Sequence, residues 1–84
     1  MIQTFYQSKP VRDTPYRELV LEHEDGKGWH VLLLGGVEWG AKKASTISDN
    51  PVADFDQGKV VFDRIFRELC GSGWRAYTPY ETWD

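Results

Sequence analysis

Residues 55–69 place the tightest constraint on what this chain can become. Phe55, Gly58, Phe62, Ile65, Phe66 and Leu69 recur at spacings of three and four, so a helix would gather them into one apolar stripe. Asp63, Arg64, Arg67 and Glu68 fill the other side. Asp54 is placed to be the N-cap, with Gln57 reaching back from the third position in a capping box. Asp56 near the start and Arg67 near the end suit the helix dipole. Gly71 stands where a left-handed residue would end the helix. Gly58 costs about 1 kcal/mol against alanine inside a helix. Its presence predicts a close approach to a second layer.

The rest of the chain supplies that layer. Ile2 to Tyr6 reads as a short strand, and Ser8-Lys9-Pro10 ends it. Tyr16 to Glu24 alternates, with Leu19, Leu21 and His23 on one side and Glu18, Val20, Glu22 and Glu24 on the other. Asp25-Gly26-Lys27-Gly28 predicts a two-residue turn centred on either Asp25-Gly26 or Gly26-Lys27. Both registers place Leu19 and Leu21 on one face with Leu32 and Leu34, which is the expected core face. Trp29 to Leu34 is the return strand, and Gly35-Gly36 predicts a bulge or bend. Lys42 to Ser48 is a weaker strand, broken by Ser48-Asp49-Asn50-Pro51. The expected fold class is α+β: a small antiparallel β-sheet of three to five strands packed on one α-helix at about residues 55–70. At 84 residues the chain makes a single domain over residues 1–84. A chain of this length buries only about 60–65% of its unfolded surface, so it has room for a groove or flat patch and not for a deep pocket.

The order of motifs resembles the WGR domain over roughly residues 16–76. Two strands lead to Trp39-Gly40, then to a helix beginning Asp54-Phe55-Asp56-Gln57, then to Gly71-Ser72-Gly73-Trp74. The resemblance implies an aromatic-rich antiparallel sheet on a single helix. It also implies DNA contact, with the motif tryptophan and arginine near the nucleic acid. Ala41 stands where that arginine would be, and Lys42-Lys43-Ala44-Ser45 replaces the glycine expected next. Ala41 can make no phosphate contact, and lysine lacks the bidentate fork of arginine.

Two functional classes remain open. The first is weak nucleic-acid binding through Trp39, Lys42, Lys43, Trp74 and Arg75: an aromatic stacking face beside phosphate-contacting cations. The plain alternatives are a core-packed Trp39 and lysines guarding a sheet edge. The second is a protein-interaction module, an adaptor or small acidic inhibitor of a larger complex. It would use aromatics (Tyr77, Tyr80, Trp83) among carboxylates (Glu22, Glu24, Asp25, Glu38, Glu81, Asp84). The same tail aromatics could instead fold back to cover the sheet. Ten basic and thirteen acidic residues, a net charge of −3, argue against strong non-specific attraction to nucleic acid or anionic membranes. A homodimer built through a strand edge is compatible with either class.

Catalysis finds no support. No phosphate-binding loop, serine-nucleophile motif or acid–base pair is apparent, and no cofactor is implied. His23 and His30, expected near each other on the leucine face, would with Cys70 make a weak metal set, and rim histidines are the plainer reading. Cys70 near a helix C-terminus lacks the field that would activate its thiol. The lone cysteine allows no internal disulfide, and there is no signal peptide or membrane-spanning run, so a cytoplasmic setting is expected.

Overall fold

The computed structural model describes residues 1–8, 14–37 and 44–78. A five-stranded antiparallel sheet packs on one helix, in the chain order β1 (Ile2–Tyr6), β2 (Pro15–Glu24), β3 (Gly28–Val37), β4 (Ser45–Val52), α1 (Phe55–Gly71) and β5 (Arg75–Ala76). The strands lie in the sheet as β4-β3-β2-β1-β5. This is the expected α+β class, at the upper end of the expected strand number.

The hairpin register differs from the expected one. The turn holds three residues, Asp25, Gly26 and Lys27, between the pair Glu24 and Gly28. The Lys27 N–H donates to the Glu24 carbonyl at 3.0 Å, and Gly26 has φ +84°, a value that side-chain-bearing residues rarely adopt. An odd loop shifts the pairing by one residue relative to an even one, and a one-residue shift turns a strand over. Leu19 therefore pairs with Leu33 and Leu21 with Val31. Val31 and Leu33, not Leu32 and Leu34, join the helix side. Phe5, Leu19 and Val31 are completely buried there, with Leu21, Phe62, Ile65 and Leu69 around them.

Two further boundaries moved. Gly35 and Gly36 stay within β3, and the irregularity falls before them, between Leu33 and Leu34, where Ile47 of β4 is passed over between the pairs Leu33–Ser48 and Leu34–Thr46. Ser48-Asp49-Asn50-Pro51 does not break β4 but belongs to it. β4 is an edge strand, where half the amides point away from the sheet, so Pro51 is tolerated. The proline and the bulge also roughen that edge against pairing with another chain.

The helix forms where its sequence signals place it, although its last turn holds no basic residue, Arg67 lying before it. Asp54 is extended (φ −155°, ψ 179°) and its Oδ1 accepts from the Gln57 N–H at 2.8 Å. Gln57 reaches back one residue further than in a standard capping box, its Oε1 accepting from the Ala53 N–H at 2.6 Å. Gly58, Phe62, Ile65 and Leu69 are the buried stripe, while Phe55 lies at its margin against Trp29 with ring centroids 5.5 Å apart. At the other end the left-handed residue is Gly73 (φ +90°), and Gly71 is the last helical residue. Trp74 N–H donates to Leu69 O at 3.0 Å and Gly73 N–H to Cys70 O at 3.3 Å, the bonding pattern of a Schellman motif. That motif turns Trp74 back onto the core cluster and feeds the chain into β5 beside β1.

Candidate functional site

Of the residues expected to contact nucleic acid, the two that are described, Trp74 and Arg75, do not share a face of the sheet. Trp39, Lys42 and Lys43 lie outside the described residues. Trp74 is half-buried on the helix side, with the Arg17 guanidinium over its ring at 4.5 Å. Arg75 pairs with Tyr6, and alternation along the strand directs it to the opposite face. Of the tail aromatics, Tyr80 and Trp83 lie outside the described residues. Tyr77 is half-buried and packs edge-on against Tyr6, centroids 5.3 Å apart. Its backbone extends the sheet: its N–H donates to Thr4 O at 2.9 Å, and its carbonyl accepts from Gln3 Nε2 at 2.9 Å. Tyr77 is thus tied into the fold.

The sheet face turned away from the helix holds a group that sequence reasoning did not assemble. His23 and His30 are not neighbours. His23 pairs with Trp29 and stacks edge-on to it at 5.3 Å on the helix side, whereas His30 pairs with Glu22 on the other face. Cys70 is exposed on the helix and joins neither histidine in a cluster of metal-ligating groups among the described residues. The three-residue turn is the cause, since it reverses the orientation expected for every residue of β3.

His30 is 6% exposed, one of only two buried polar residues among those described. Its Nδ1 lies 3.1 Å from Asp49 Oδ1 and its Nε2 lies 3.0 Å from Glu22 Oε1. Glu24 Oε2 stands 3.7 Å from the same Nε2. The three carboxylate side chains are each about half exposed, at 47%, 47% and 50%. Each position has a backbone reason. Glu22 and Glu24 are two apart on β2, so they share a face. His30 is directly opposite Glu22, and Asp49 enters from β4 opposite Leu32. Gly28, opposite Glu24, carries no side chain to occupy the space beside His30.

No family model, curated protein or solved structure matches this chain.

The readable signal was Glu22-x-Glu24 facing a histidine across a hairpin, but it emerges only with an odd loop length. Along the same face β2 also carries Glu18, and β3 carries half-buried Leu32 and Leu34. Tyr16 packs over Gly36, where an added Cβ would lie 2.6 Å from the Tyr16 hydroxyl oxygen. Among the described residues, no helix is long and apolar enough to cross a membrane.

Proposed function

We propose that this chain is a non-catalytic interaction module that presents the helix-free face of its sheet to a basic segment of a protein partner. The observation that carries this reading is the row of carboxylates Glu18, Glu22 and Glu24 along β2, joined by Asp49 from β4, beside half-buried Leu32 and Leu34. Asp25 at the turn adds a further exposed carboxylate. Lys27 offsets part of this charge, its Nζ lying 3.7 Å from Glu24. An apolar centre with a charged rim is the ordinary anatomy of a protein interface. A predominantly negative face of this kind raises the association rate of an oppositely charged partner. The resemblance to the WGR domain supports a binding role as well. The carboxylate row disfavours its nucleic-acid form, because it repels phosphate.

The test is an amide-resolved NMR titration with a Lys/Arg-rich peptide in the presence of a chelator, with an Asp/Glu-rich peptide and duplex DNA as comparisons. We expect shifts along β2 and β3 with the basic peptide only, weakened by salt and by the pair Glu18→Lys and Asp25→Lys. Shifts confined to the helix, or none, would remove the reading. A tryptophan fluorescence change with DNA at low salt would instead favour the nucleic-acid class.

A further inference from the structure

We infer that Glu22, Glu24 and His30 form a binding site for one divalent transition-metal ion of the zinc class, with Asp49 as the residue that orients the imidazole. The inference does not need the partner proposed above, but it shares Glu22 and Glu24 with that face, and a bound cation would offset their charge, which is why the peptide titration includes a chelator.

The argument begins with hydrogen-bond supply. A neutral imidazole has one N–H donor and one lone pair. His30 has a carboxylate oxygen at hydrogen-bonding distance from both ring nitrogens, Asp49 Oδ1 at 3.1 Å and Glu22 Oε1 at 3.0 Å. If the ring is neutral, one nitrogen aims its lone pair at a carboxylate lone pair. In a ring that is 6% exposed, solvent does little to relieve that contact. A cation beside that nitrogen relieves it.

Two features favour a metal ion as that cation. With a cation at Nε2, Asp49 at Nδ1 would accept the remaining ring N–H, one of the outer partners usual behind metal-bound imidazoles. Nε2 also faces two carboxylates, at 3.0 Å and 3.7 Å, and a single ring proton would use only one of them. For metal–ligand bonds of roughly 2.0–2.2 Å in tetrahedral geometry, ligand atoms stand about 3.3 Å apart, which the two observed separations bracket. The three donor atoms all lie within 4.8 Å of one another. The exposed sides of Glu22 and Glu24 give the ion an entry path, and water can complete its shell.

The test is calorimetric titration of chelator-stripped, tag-free protein with Zn2+, followed by long-range 1H–15N spectra of the histidine rings. We expect one ion per chain and a shift of the His30 Nε2 resonance with little change at His23. Glu22→Gln and Glu24→Gln, both at half-exposed positions that should preserve the fold, each weaken binding at least tenfold, and Asp49→Asn weakens it about 10–100-fold. Glu18→Gln leaves it unchanged. The proposal is overturned if millimolar Zn2+ gives no heat and leaves His30 unmoved, the result expected if a second ring proton holds the position. It is equally overturned if binding persists undiminished in Glu22→Gln and Glu24→Gln, which would mark diffuse attraction to surface acids.

Discussion

Gly58 of α1 lies directly against Leu21 of β2: a Cβ built at Gly58 would overlap Leu21 Cδ1 and stand 3.3 Å from Cδ2. Leu21 is 2% exposed and enclosed by the core, so its side chain has little freedom to withdraw. The missing side chain sets the distance between helix and sheet. We expect Gly58→Ala to destabilise the protein by about 1–3 kcal/mol, the cost of overpacking, despite alanine's better helix propensity. Urea unfolding of Gly58→Ala, Leu21→Ala and the double variant checks this. The double variant should lose less than the two single losses added together. Simple additivity would show that the contact does not limit the packing.

The two glycines at the helix end should respond in opposite directions. Gly73 holds φ +90°, so Gly73→Ala is expected to cost about 1–2 kcal/mol. Gly71 is helical, and an added Cβ there meets nothing within 4 Å. Gly71→Ala should be neutral or stabilising by up to about 1 kcal/mol. Thermal unfolding of the two variants side by side decides the matter, and the reverse ranking would relocate the left-handed residue.

Removing the helix cap should have a contained effect. Asp54→Ala deletes the acceptor for the Gln57 N–H and is expected to cost about 1 kcal/mol. Asp54→Ser or Asp54→Asn should restore most of it. Failure of both replacements in denaturant titration would mean that the carboxylate acts through charge and not as a hydrogen-bond acceptor.

The hairpin register predicts a contrast between adjacent residues. Val31 is completely buried on the helix side, whereas Leu32 is half-buried on the opposite face. We expect Val31→Ala to cost about 2–3 kcal/mol and Leu32→Ala clearly less, although leucine loses more atoms. Equal losses, or a larger loss at Leu32, would indicate the even-loop register.

The chain's local signals determined a good deal. The stripe from Phe55 to Leu69, the Asp54 cap and the alternation of Leu19 and Leu21 each depend on residues within a few positions of one another. The helix, strand β2 and their mutual packing could therefore be read directly, and so could the close approach at Gly58. Tertiary structure decided the rest, because it turned on parity and on long-range pairing. Whether Asp25, Gly26 and Lys27 make a loop of two residues or three changes little in local energy, yet it reverses every side chain of β3. That parity moved His30 from the expected leucine face to the carboxylates, a meeting completed by Asp49 from a strand whose proline had suggested its end. Gly71 and Gly73 were likewise interchangeable in sequence. The choice fell to Gly73 because only that stop lets Trp74 return onto Leu69 and bring β5 alongside β1.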